Sequence, residues 1–306
     1  MTDTRIGELA GLATAGLWVV SSLSFTAAGR SLGATRVNLL RTLAAAVVLF
    51  GIQLWLHGAA WPRMESGAAV WLAVSGIMGL TIGDQFLFTG YVMLGPRLVS
   101  LLMTLAPSMS ALIAWVGFGE TMGGASVLGM LITTAGVASV ALGRAPEGAP
   151  HTAAERRKGL LFGLAAALCQ ALGMVTAKRG LITGVSAFDA QTMRMYAGAA
   201  SMIPLAAIVR HAGLAAPAQP NRRAFAVLAL GVVSGPLFGV YFSMLAVEKV
   251  PVGVAATLIG LVPVLILPAS RIIDRERIST RALVGAIIAV AGIAVLAMGA
   301  PASDHG

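Results

Sequence analysis

Ten stretches of about 20 mostly apolar residues follow one another along this chain with little polar sequence between them, a pattern that excludes most folds. An α-helix needs about 20 such residues to cross the hydrocarbon of a bilayer, and inside lipid a backbone must satisfy its own hydrogen bonds. The stretches fall at about 8–29, 37–56, 68–94, 97–118, 124–143, 159–178, 189–209, 224–247, 252–270 and 281–299. Only Gly95-Pro96-Arg97 divides the third from the fourth, and only Glu248-Lys249-Val250-Pro251 the eighth from the ninth, so both read as tight turns. Charge density points to the same solvent. Charged residues make up 11% of the chain and hydrophobic ones 58%, against roughly 25% and 45–50% in a soluble domain. The expected fold class is all-α integral membrane, with ten transmembrane helices in a bacterial inner (plasma) membrane and the lipid bilayer as principal partner.

The net charge of +9 does not indicate nucleic acid. Its basic residues sit in short clusters between apolar runs, such as Arg156-Arg157-Lys158 and Arg222-Arg223, the pattern of loops at a membrane surface. A single cysteine, Cys169, excludes an intrachain disulfide and reads as packing filler in an apolar run. Residues 1–7 carry one Arg and one Asp. The apolar stretch after them is too long for a signal-peptide core, so it is expected to be the first spanning helix. No metal-ligand spacing occurs, and neither metal nor cofactor is expected. The expected protein is a monomer or homodimer.

The second half of the chain repeats the first. An offset of 156 pairs Pro107 with Pro263, Glu120 with Glu276, and Gly129, Gly136 and Gly143 with Gly285, Gly292 and Gly299. It also pairs Gly79 with Gly235 and Gly83 with Gly239. Near the start of each half the offset falls to 152 or 153, pairing Gly7 with Gly159, Gly11 with Gly163 and Arg41 with Arg194. The expected organisation is therefore a first five-helix repeat over 1–143, a Pro- and charge-rich linker over 144–158 and a second repeat over 159–306. Five is odd, so the repeats must cross the membrane in opposite senses. Inverted repeats are the architecture of many secondary transporters, with a small-molecule substrate bound near the midplane between them.

Asp84 is the most constrained side chain in the sequence. It lies some ten residues, roughly 15 Å, from the end of the third segment, near the bilayer centre. A carboxylate there must be paired, protonated or in water. It is either a proton-coupling or cation site, or a structural partner inside the bundle. Arg41 is its natural partner, although its long stem could equally snorkel to headgroups. Arg194 is the counterpart of Arg41 from the opposite face. Asp84, Phe88 and Tyr91 share a face at spacings of 4 and 3, and Ser234, Phe238 and Tyr241 repeat that spacing on the eighth segment. These stripes are either cavity walls or packing. Trp18 sits mid-helix, away from the interfacial belt usual for Trp. With Gln85 and Gln170, they complete the candidate substrate-binding or coupling set. Pro107 and Pro263 each remove a backbone hydrogen bond inside a helix, giving either hinges or static kinks. The glycines at spacing 7 read as helix-packing surfaces, and Glu120 and Glu276 as N-terminal caps of the fifth and tenth helices.

The run Leu102 to Gly136, LMTLAPSMSALIAWVGFGETMGGASVLGMLITTAG, resembles the signature of the EamA-like family in the drug/metabolite transporter superfamily. That signature has a proline in the helix, an acidic residue after the next turn, then a helix with spaced glycines. Residues Leu258 to Gly292 repeat it with Pro263, Glu276, Gly285 and Gly292. The segment Gly79 to Arg97, GLTIGDQFLFTGYVMLGPR, is also similar to one branch of the family. The resemblance covers nearly the whole chain. It implies ten helices, two inverted repeats, a central cavity and export of small metabolites, amino-acid-like ones among them, or of toxic compounds, with proton coupling an open option. Asp84 departs from the symmetry, for Val240 stands in its place in the second copy.

Two other functions compete. Thr81-Ile82-Gly83-Asp84 is one residue from the GxGD of intramembrane aspartyl proteases, but such an enzyme needs a second carboxylate at depth, and Asp3, Asp189, Asp274 and Asp304 all fall at or beyond helix ends. No catalytic activity is expected. A passive channel would favour a ring of like residues around an axis. Orientation is contested. Ten helices put both termini on one side with Arg5, Arg63, Lys178, Arg179 and Lys249, five positive charges against fourteen opposite. The positive-inside rule then expects external termini, whereas the resemblance implies cytoplasmic ones.

Overall fold

The structure, a computed structural model, describes residues 3–119, 122–142, 152–214, 219–250, 252–273 and 279–298. Glu120, Glu276, Gly143, Gly299 and most of the 144–158 linker lie outside the described residues. The spanning helices are α1 (Asp3–Leu32), α2 (Ala34–His57), α3 (Ser66–Leu94), α4 (Pro96–Phe118), α5 (Gly124–Ala141), α6 (Ala153–Leu181), α7 (Ala187–His211), α8 (222–249), α9 (252–273) and α10 (Thr280–Met298). Among the described residues, nine of these are long and apolar enough to cross a bilayer. The other, α9, consists of two short helices, Val252–Ile259 and Val262–Ile273. The outer surface is apolar as lipid requires: Val47, Val116, Leu131, Ile203 and Leu230 are all exposed.

Single glycines make two of the tight turns. Gly33, at φ 84°, joins α1 to α2, and Gly95, at φ 79°, joins α3 to α4. Both combine positive φ with extended ψ, a region essentially restricted to glycine. Pro96 then opens α4 at its first position, where its missing N–H costs nothing.

Helix pairing carries the internal symmetry. The spaced glycines bring α5 against α10, α1 lies along α8 as α3 lies along α6, α2 packs on α7, and α4 touches α6 as α9 touches α1. Exchanging the repeats maps each pair onto itself or onto another in the set. The α5–α10 seam is the closest. A Cβ placed at Gly129 would lie 2.7 Å from the Gly292 carbonyl oxygen, and one at Gly136 would lie 2.8 Å from that of Gly285. Only glycine permits such backbone approach.

Both repeats interrupt their third helix in the same place. Residues Ile77–Gly83 of α3 and Val233–Gly239 of α8 are π-helical, related by the same offset of 156. Such segments widen the helix locally and often mark functional positions. The fourth helix of each repeat is also broken. In α4 the break is at Thr104, whose N–H and hydroxyl both turn back to the Leu101 carbonyl at 3.1 and 2.7 Å. In α9 it is at Gly260 and Leu261. Pro107 and Pro263 each sit in the first turn of the half-helix that follows, where a proline is tolerated.

Candidate functional site

Between the repeats lies a chamber of about 780 Å³. Both broken helices reach it, with Thr104 and Pro107 on one wall and Gly260 and Pro263 on another. Irregular backbone at membrane depth is stable where it borders a cavity or protein. The chamber's lining extends to Met122, Lys178 and Ala297, close to the helix ends on the side that carries the termini. At the opposite ends Leu32, Val37, Val99 and Leu228 close into a buried apolar cluster. The cavity is thus open toward the termini and sealed on the other face.

Asp84 is buried and lines the chamber at the first residue after the π segment. One carboxylate oxygen accepts a bond of 2.5 Å from Arg41 Nη2 and the other accepts from Gln170 Nε2 at 3.1 Å. Arg41 is buried too, so it does not snorkel. Its Nη2 also donates to Asn38 Oδ1 at 3.2 Å. Asn38 in turn donates to the Thr81 carbonyl inside the π segment, at 3.2 Å. Phe25 and Phe88 lie 5.9 and 5.2 Å from the guanidinium, a contact that favours the cation when water is excluded. A buried pair of this kind stabilises little in total, but removing one partner costs about 3–5 kcal/mol because a lone charge remains.

The aromatic stripe of α3 faces the same chamber. Phe88 packs edge-on to Phe25 at 5.2 Å, and the Tyr91 hydroxyl meets that of Ser22 at 3.1 Å. Trp18 lines the cavity from α1 beside Gly239, where a Cβ would lie 2.6 Å from the indole nitrogen. Gln170 occupies the corresponding place on α6, beside Gly83. The offset of 152 pairs Trp18 with Gln170, so the two repeats present one aromatic and one amide from matching positions.

Three expected residues lie elsewhere. Tyr241 is 60% exposed on the outer face, against Phe242. Its stripe with Ser234 and Phe238 counts α-helical spacing across a π segment, where that spacing no longer selects one face. The α3 stripe begins only after its π segment, and there the count holds. Gln85 turns to α2 and donates to Thr35 Oγ1 at 2.9 Å, outside the cavity lining. Arg194 lies just behind the lining, donating to Ser75 Oγ at 2.9 Å and Gln191 Oε1 at 3.0 Å. The sequence reading missed Ser22, Ser100 and Thr104, which add hydroxyls to the chamber. Isolated hydroxyls in apolar helices are common, and the local repeat offset pairs none of these three with another hydroxyl. Among the described residues, no cluster of three His, Cys, Asp or Glu side chains could hold a metal ion.

A family model, that of the EamA-like transporter family, matches residues 5–142 and again residues 157–298. No curated protein matches the chain. A solved crystal structure of another protein, 21% identical, superposes with a TM-score of 0.65 over 94% of this chain and 95% of that one. At such identity the likeness is one of fold.

Proposed function

The chain belongs to the EamA-like transporter family and is a membrane transporter, and on that premise we propose that it exports small metabolites or toxic compounds by alternating access, with Asp84 as the proton-coupling group. The chamber carries this reading. It lies between inverted repeats, is closed at one face, and among the described residues Asp84 is the carboxylate that lines it. The breaks beside Pro107 and Pro263 are hinges on which the half-helices turn. In a bacterial inner membrane, the excess of basic residues on the face away from the termini places both termini outside. A cysteine at Ser303 that an impermeant thiol reagent reaches only from the cytoplasm would reverse that placement.

Purified protein in liposomes tests the transport reading. Uptake of a cargo should saturate and should be accelerated by unlabelled cargo trapped inside. Flux that rises linearly with concentration and shows no counterflow would make the protein a channel instead.

A further inference from the structure

The bonding of Arg41 is lopsided. Nη2 alone donates to Asn38, Thr42 and Asp84, while Nε is buried without a hydrogen-bond partner among the described residues. Asp84 is likewise divided, giving one oxygen to Arg41 and the other to Gln170. A guanidinium is built to grip one carboxylate with two parallel bonds. Here that capacity stays unused, at a residue lining the chamber.

We propose that Arg41 and Asp84 form a joint acceptor for one proton and one anionic group, so that the cargo is a carboxylate or a similar monoanion that leaves together with a proton, driven outward by its own concentration gradient. The proposal rests on the transporter reading and names its cargo class. A proton from water neutralises Asp84, and the cargo's carboxylate takes over the guanidinium that Asp84 releases. The empty site holds one positive and one negative charge. The loaded site holds Arg41, the cargo anion and a neutral Asp84. Net charge in the chamber is unchanged, which matters where an unbalanced charge is costly. A cationic cargo would have to displace a guanidinium that cannot itself lose its proton, leaving Arg41 unpaired between Phe25 and Phe88.

The surroundings suit this exchange. The groups acting on Asp84 by charge are Arg41 from α2 and Arg194 from α7. Helix α6 supplies Gln170, with Lys178 two turns along the chamber wall and the Cys169 thiol alongside. Helix α3 itself adds Tyr91, and α1 and α4 face the pair with the hydroxyls of Ser22, Ser100 and Thr104. Protonating Asp84 therefore leaves a chamber of net positive charge. Aromatic and methionine walls then favour an apolar body behind the anionic group.

The test is calorimetric titration of the full chain in lipid nanodiscs with phenylacetate, phenylacetamide and phenethylamine, from about pH 8 to about pH 5.5, where the acid stays ionised. Phenylacetate should bind more tightly as pH falls, by up to about tenfold per pH unit for one linked proton. The amide should bind weakly and without pH dependence. Asp84→Asn should bind phenylacetate at high pH as well as the native chain does at low pH. The double variant Arg41→Gln/Asp84→Asn, which leaves no lone charge, should fold and lose the preference for acid over amide. Tightest binding of phenethylamine, a pH dependence that survives Asp84→Asn, or no phenylacetate binding at any pH would overturn the proposal. Counterflow of another cargo alongside such results would leave the transport reading standing, whereas phenylacetate binding without counterflow of any cargo would remove transport alone.

Discussion

Helices α3 and α8 enter the chamber through the same backbone device and present it with different chemistry. Each is π-helical for seven residues at matching positions. In α3 the next residue is Asp84, followed by Phe88 and Tyr91 on the same inward face. In α8 it is Val240, and Tyr241 beyond it looks outward. The duplication has thus kept much of its architecture twice, and the arginine of its second helix as well, but its acidic group once. Close approach, turns and breaks depend on backbone geometry that both repeats need in order to pack. One acidic group is enough to titrate, and a second at depth would add desolvation cost while Arg194, the counterpart of Arg41, is already held by Ser75 and Gln191.

This comparison is most easily broken at its charged end. Asp84→Asn should abolish transport driven by a pH gradient in liposomes while the protein inserts and folds. Adding Val240→Asp to that variant should restore nothing, because Arg194, the counterpart of Arg41, is turned to Ser75 and Gln191. Recovery of gradient-driven flux would mean that the repeats are chemically interchangeable.

The architectural end should behave oppositely, with equal effects in both repeats. Gly136→Leu and its counterpart Gly292→Leu both force a side chain against backbone across the α5–α10 seam. Each should lower thermal stability by about 1–3 kcal/mol, measured as the loss of folded protein on heating in detergent. Gly51→Leu, at a glycine with open space around it, should stay within about 0.5 kcal/mol of the native chain.

Much of this was legible in the sequence, for physical reasons. A carboxylate ten residues into an apolar helix is so costly in lipid that its inward position and its arginine partner follow almost directly. Glycines at spacing 7 announced a seam because nothing else in a helix allows such approach. The π segments were not legible. Ile77–Gly83 and Val233–Gly239 consist of ordinary apolar residues and glycines, and a widened turn leaves no period of its own over so short a run. The misplaced Tyr241 follows from that blindness. The break in α4 likewise falls at Thr104 and not at Pro107, since the proline starts the new half-helix where its ring is tolerated.

Smaller effects sharpen the same contrast. Pro107→Ala and Pro263→Ala should each slow turnover several-fold, and similarly, because both relieve the same break; a loss confined to one would show that the hinges are unequal. Tyr91→Phe, which removes the hydroxyl facing Ser22, should weaken cargo binding by about 1 kcal/mol. Tyr241→Ala should leave transport kinetics unchanged. A defect in Tyr241→Ala equal to that in Tyr91→Phe would place α8 in the site after all.

Reciprocal access to the chamber from its two faces tests the account most directly. In a Cys169→Ser background, Met122→Cys lies half-buried in the cavity lining at its open end, and Leu228→Cys in the apolar cluster that seals the other face. An impermeant thiol reagent should label residue 122 readily and residue 228 slowly in resting liposomes. Cargo together with a pH gradient should slow the first and accelerate the second in the same proportion. Rates that do not change, or that rise together at both positions, would contradict alternating access.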